Sequence, residues 1–225
     1  MRRKRFLILL ILVSSNLFSQ KTATDLGNWI MYFGQNRLSD QWSIHSEIQY
    51  RNHTVVPNNT EQLLLRTGLN YHLESATITI GYGHIGSHIY LSEQKSPEVE
   101  EHRIFQQLIT TNQIGRLKLE HRYRVEQRWV NKNYKNRIRY RLMAFIPLNK
   151  KTIEQGTVFI GLYDEIFLNT ERTYFDRNRF YGALGYQINK LIGVQAGMLH
   201  QETIRGGKWY MQFALTLNTD FRKSD

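Results

Sequence analysis

Residues 117–130 read LKLEHRYRVEQRWV, which sets Leu117, Leu119, His121, Tyr123, Val125, Gln127 and Trp129 against Lys118, Glu120, Arg122, Arg124, Glu126 and Arg128. Side chains on an extended chain alternate between two faces. One face of this segment is therefore largely apolar and the other wholly charged. Residues 131–136 are rich in turn formers. After them Ile138, Tyr140, Leu142, Ala144 and Ile146 alternate with Arg137, Arg139, Arg141, Met143 and Phe145. The two segments read as a hairpin, 117–130 with 137–148. Matching its charged faces requires partner numbers that sum to an odd value. A turn centred near Lys132 and Asn133 sets Glu126 opposite Arg139 or Arg141.

The same period recurs on both sides. Trp42, Ile44, Ser46, Ile48 and Tyr50 oppose Ser43, His45, Glu47, Gln49 and Arg51, and Leu63, Leu65, Thr67, Leu69, Tyr71 and Leu73 oppose Leu64, Arg66, Gly68, Asn70 and His72. Segments 26–35, 76–88, 102–112, 157–168, 178–188, 191–201 and 208–221 fit less cleanly. That makes eleven candidate strands and no helical period. Connections are short at 36–40, 74–75, 113–116 and 189–190 and longer at 52–61, 89–101 and 169–177. The expected fold is all-β, an antiparallel transmembrane β-barrel of about 10–12 strands. An odd count conflicts with a bacterial barrel that keeps both chain ends on one side, so one strand is expected to be missed or split.

Aromatic placement agrees. Trp42 and Tyr50 bracket one apolar face, and their eight-residue spacing spans ~27 Å along the strand, or about 19–22 Å along the membrane normal once tilted. At the far end Trp209, Met211, Phe213, Leu215, Leu217, Thr219 and Phe221 share one face, like the C-terminal signal by which outer-membrane barrels are assembled. Here Arg222, Lys223, Ser224 and Asp225 follow the aromatic, a departure from the usual ending.

The N-terminus sets the expected compartment. Arg2, Arg3, Lys4 and Arg5 precede an apolar run from Phe6 to Val13 and then Ser14, Ser15 and Ser19. This order is that of a cleaved secretory signal peptide over 1–20, leaving 21–225 as one barrel domain exported to the cell outer membrane. No cysteine is present to carry a lipid or form a disulfide. The formal charge of +11 falls to about +7 once the signal is removed. A hydrophobic content of 41% describes an ordinary soluble protein, because alternating faces cancel in any average.

The chain also resembles the outer-membrane proteins grouped as domain of unknown function 2490. The resemblance rests on Leu26-Gly27-Asn28-Trp29, Trp42-Ser43-Ile44, Gly115-Arg116-Leu117-Lys118-Leu119-Glu120-His121-Arg122, Asn136-Arg137-Ile138-Arg139-Tyr140 and Asp176-Arg177-Asn178-Arg179, in that order over most of the mature chain. It implies a barrel in the outer membrane and carries no activity, cofactor or site.

With apolar faces outward, Arg122, Arg124, Glu126, Arg128, Arg137, Arg139 and Arg141 form one lumen wall. Rings of arginine favour anions, which makes this wall a candidate anion-binding constriction for a small anionic solute. In a barrel this narrow the same ladders also fill and brace the interior, and that reading is favoured. The channel and the structural barrel both remain open. An outer-membrane lipid-acting hydrolase is the second class, since Ser43, His45 and Glu47 share a face, yet no oxyanion hole is legible and no catalytic residue is assigned. A soluble exported lipocalin-like binding protein is the third, with apolar faces turned inward. His84 with His88, or His45 with His72, lacks a third ligand for a metal, and no cofactor motif is found. Asp164 and Glu165 are adjacent and point to opposite faces, so one of them is expected on the lipid side unless it lies at a rim or bulge. Expected partners are outer-membrane lipid, lipopolysaccharide near Lys132, Lys135 and Arg172, and the barrel assembly machinery. Export argues against nucleic acid.

Overall fold

The computed structural model describes residues 26–56, 59–91, 94–95 and 97–222; the expected signal peptide, 1–20, lies outside the described residues. Among them the chain is all-β and without helix. The strands are β1 (Gly27–Arg37), β2 (Trp42–Thr54), β3 (Asn59–His72), β4 (Ala76–Ser87), β5 (Tyr90–Leu91), β6 (Gln94–Lys95), β7 (Val99–Ile114), β8 (Leu117–Val130), β9 (Asn133–Pro147), β10 (Val158–Asn169), β11 (Phe175–Gln187), β12 (Ile192–Thr203) and β13 (Gly206–Asp220). Strands β5 and β6 pair only with each other, inside the connection from β4 to β7. The other eleven close into one barrel in the order β1-β13-β12-β11-β10-β9-β8-β7-β4-β3-β2.

All eleven expected strands are present in the barrel, none of its strands missed and none split; the short β5 and β6 lie in the segment 89–101, expected as a loop. The odd count is resolved at the closure. Every neighbouring pair is antiparallel except β1 and β13, which run parallel from Gly27↔Tyr210 to Arg37↔Asp220. Both strands start at one mouth, here termed upper, and end at the other. Gly27 therefore lies at the upper mouth and Asp220 at the lower. The upper mouth carries the connections after β2, β4, β8, β10 and β12, and the lower mouth those after β1, β3, β7, β9 and β11. The expected division into short and long connections holds only in part, because the ten-residue segment 148–157 sits among the short lower turns.

Stepping from Arg37 to each direct partner in turn arrives at Gly206 on β13, about fourteen residues out of register with the start. A stagger of that size over eleven strands tilts them by roughly 45° from the barrel axis. The turn between β8 and β9 is two residues, Asn131 and Lys132, with φ of 46° and 70°. Two consecutive positive φ values mark a type I′ hairpin, whose twist matches the flanking strands.

Apolar side chains face outward on every one of the eleven strands, among them Ile30, Ile48, Leu65, Ile80, Leu184 and Phe213. Two aromatic pairs stand near the rims. Trp42 meets Tyr71 at 4.8 Å below, and Trp129 meets Tyr134 at 5.3 Å above. The inside carries the buried charges, together with apolar residues: Trp29, Met31, Tyr181, Ala183, Leu199, Tyr210 and Ala214 pack together in one sector, and Phe105, Met143, Phe159 and Phe167 are buried elsewhere on the inner face. The lipocalin-like arrangement, with apolar faces inward, is not the one adopted. At the lower mouth Arg222 donates to Asp220 and to Asp40 (2.6 Å each). These hydrogen bonds, the first above all, raise the guanidinium pKa above its ordinary value.

Candidate functional site

Strands β7, β8 and β9 set their charged faces inward, as the alternation requires. Glu126 is fully buried and is ringed by guanidiniums. Arg137 donates to its Oε2 from Nε (2.9 Å) and Nη2 (2.6 Å), Arg139 Nη1 to its Oε1 (2.7 Å), and Arg103 Nη1 to the same oxygen at 3.3 Å. Arg124 Nη1 stands 3.7 Å away. Because the turn is Asn131–Lys132, one residue earlier than expected, Glu126 faces Arg137 rather than Arg139 or Arg141. Arg139 reaches Glu126 diagonally.

The ring extends both ways. Glu165 accepts from Arg139 Nη2 (2.7 Å) and Arg122 Nη2 (2.6 Å), Glu101 from Arg103 (2.6 Å) and Arg128 (2.5 Å), and Asp176 from Arg137 (2.8 Å). The structure thus brings together six of the seven residues expected in the wall, Arg122, Arg124, Glu126, Arg128, Arg137 and Arg139. Arg141 is the exception. Glu165 stands directly opposite it but gives its oxygen to Arg122 and Arg139, and Arg141 has the Tyr163 ring at 5.6 Å instead.

Several residues of this network escape a reading of one hairpin. Glu101, Arg103, Glu165, Asp176 and Arg179 come from β7, β10 and β11, where aromatic residues share the inner face. Arg139 lies over the Phe167 ring at 4.2 Å, Arg179 over Phe167 at 4.7 Å and Trp29 at 4.8 Å, and Arg51 over Trp29 at 4.1 Å. Such contacts hold a guanidinium without a carboxylate. Phe105 likewise lies beneath Arg124 (4.8 Å) and Arg66 (5.3 Å), the latter also donating from Nη1 to Glu47 (2.7 Å). The Phe105 ring fits because Gly81 opposite it carries no side chain; a Cβ there would meet that ring.

Not every donor is satisfied. Arg66 Nε, Arg122 Nε, Arg124 Nη1 and Arg141 Nε are buried and make no hydrogen bond. Orphaned charged donors are costly unless something anionic meets them. All four arginines line one cavity of about 1410 Å³. Phe33, Met143, Phe145, Phe159 and Tyr163 also line it, as do Lys150 and Glu154 of the segment 148–157.

The expected face-sharing of Ser43, His45 and Glu47 is present, but no relay forms. Ser43 Oγ lies 2.7 Å from His72 Nε2 and accepts from Asn70, while His45 Nε2 lies 3.1 Å from Glu47. His72 turns its other nitrogen to the Thr77 hydroxyl (3.1 Å), not to an acid. Ser43 is fully buried. The His84 ring lies tilted against that of His102 on the outer face (5.2 Å), and among the described residues no group of three metal-ligating side chains forms. Asp164 faces outward and accepts from Asn178 (3.1 Å), while Glu165 faces in.

A family model described as Protein of unknown function (DUF2490) matches residues 26–212. No curated protein and no solved structure matches the chain significantly.

Proposed function

The chain belongs to the family described as Protein of unknown function (DUF2490), and from that premise we propose that it is a Gram-negative outer-membrane β-barrel whose lumen is closed at its waist by its own arginines and carboxylates. The observation that carries the membrane part is the apolar outer face contributed by all eleven strands. Water-soluble monomers seldom expose contiguous apolar patches beyond a few hundred Å², whereas hydrocarbon accepts this face without cost. The rim aromatics and Phe221 directly after the last strand fit the same reading, with residues 1–20 as the export signal.

The closed lumen rests on burial. Residues that line an aqueous pore are wetted from inside, yet Glu126 is 0%, Arg124 3% and Arg137 4% exposed. A ring this dry braces the barrel. We place the upper mouth outside, where Lys132, Lys135 and Arg172 would meet lipopolysaccharide phosphates, and the lower mouth in the periplasm, where the C-terminal strand would meet the assembly machinery.

Two measurements test this. The protein is expected to remain in the membrane pellet after a carbonate wash and to run faster unheated than boiled. In planar bilayers it is expected to give no steady open-pore current. A freely soluble monomer overturns membrane residence, and a large steady conductance overturns the closed waist.

A further inference from the structure

We infer that the underside of the waist is a binding site for an organic anion, with an acidic head on Arg66, Arg122, Arg124 and Arg141 and an apolar body on the phenylalanine wall beneath them. The inference rests on the closed-lumen reading above and is independent of membrane residence.

The head site follows from charge and donors. Arg122 and Arg141 face each other directly across β8 and β9, and Arg124 faces Arg139. Like charges directly opposite on a strand pair repel. Arg139 is relieved by Glu126 and Glu165. Arg141 forms no ion pair among the described residues, and Arg124 has only the 3.7 Å approach to Glu126, besides the amide oxygen of Gln107. Arg66 and Arg124 share the Phe105 ring, which draws a third strand to the same place. Four N–H groups, one on each arginine, are left with no acceptor although Arg66 and Arg124 are more than nine-tenths buried. An oxyanion is the complement to such a set, since charge-assisted bonds to carboxylate or phosphate are the strong ones guanidinium makes.

The body site follows from register. Successive inward residues along β9, from upper to lower mouth, are Arg137, Arg139, Arg141, Met143 and Phe145. Polar character thus ends at Arg141 and apolar character begins one step lower. Tyr163 stands opposite Met143, and Phe145 meets Phe159 at 6.0 Å. All line the same cavity as the four arginines, a lumen cavity of about 1410 Å³ whose lining also takes in Arg51, Arg128, Arg137 and Arg177 above them. An inorganic anion would use the donors and leave this wall unused.

The test uses the full-length barrel purified in detergent. Titration calorimetry with 4-phenylbutyrate, a soluble carboxylate with an apolar body, is expected to give saturable binding. Its uncharged amide is expected not to bind, and inorganic phosphate to bind more weakly. Arg141→Gln is expected to weaken 4-phenylbutyrate at least about tenfold, the loss of one charge-assisted bond, while Arg141→Lys loses less; unchanged heat-dependent mobility reports that both variants fold. No binding by the parent protein, binding unaltered in Arg141→Gln, or phosphate binding as tight as 4-phenylbutyrate each overturns the assignment. Failure here reads out as absent binding and failure of the closed lumen as conductance, so the two are told apart.

Discussion

Gly27 and Tyr210 are direct neighbours in the one parallel strand pair of the barrel. The Tyr210 ring lies where a side chain on Gly27 would stand, and a Cβ there would also come within 2.7 Å of the Asn52 carbonyl oxygen. Parallel closure carries a topological consequence: the chain enters β1 at the same mouth as the Asn131–Lys132 turn and leaves β13 at the other. An epitope inserted just before Gly27 is expected to be cut or labelled from the same side of the membrane as one in the Lys132 turn, and a tag after Asp225 from the opposite side. If the Gly27 and Asp225 tags respond together, β1 and β13 do not run parallel.

The Glu126 carboxylate is the sole fully buried anion among Arg103, Arg137 and Arg139. Glu126→Gln keeps its shape and removes its charge, leaving Arg103, Arg137 and Arg139 with one carboxylate each, Glu101, Asp176 and Glu165, and Arg124 with none among the described residues, in a dry interior. Breaking a buried pair from one side costs about 3–5 kcal/mol. The expected result is a lower urea midpoint for refolded protein, followed by tryptophan fluorescence, with partial recovery on adding Arg139→Met. A loss below about 1 kcal/mol, within the range of exposed ion pairs, would mean the ring is wetted.

How far the sequence discloses this structure depends on what each strand turns inward. Strands β2, β3, β8 and β9 have polar inner faces on most positions, so a period of two stands out in residues such as Ser43, Glu47, Arg66, Arg124 and Arg139. Strands β1, β7, β10 and β11 turn Trp29, Phe105, Phe167 and Tyr181 inward, and these rings blur the alternation without changing it. The one-residue error in the β8–β9 turn has a local cause: Asn131, Asn133 and Asn136 all suit a turn, and only φ at Asn131 and Lys132 decides which pair makes it. The parallel seam has no local signature at all. In the lumen, the arginine wall is legible, but which arginine is satisfied is not, because Arg139 and Arg122 are claimed by Glu165 from another strand and Arg141 is left over.

Lys132 has φ of 70° in the hairpin turn, a region that costs a residue with a Cβ roughly 1–2 kcal/mol. Asn131 suits its own place, since Asn-Gly is the favoured pair for this turn type. Lys132→Gly is therefore expected to raise stability by about 1 kcal/mol, after the greater entropy of glycine in the unfolded chain offsets part of the relief. Equilibrium unfolding in urea measures it; a destabilised variant would show that the turn is not held in this form.

Asp164 decides between hydrocarbon and water on the outer wall. It points outward between Leu162 and Ile166, with Leu142 and Phe180 as its neighbours on β9 and β11, and Asn178 Nδ2 as its hydrogen-bond donor. If lipid covers this wall, the carboxylate is a liability of about 1 kcal/mol or more, smaller than the ~2–4 kcal/mol of a lysine or arginine at the midplane. Removing it together with its donor, as Asp164→Leu with Asn178→Leu, is then expected to raise the urea midpoint of the barrel folded in phospholipid vesicles. If water covers the wall, the same pair of substitutions enlarges an exposed apolar patch, which promotes aggregation and gains no stability. The sign of that one shift thus reports the solvent of the outer face without reference to export, conductance or any ligand.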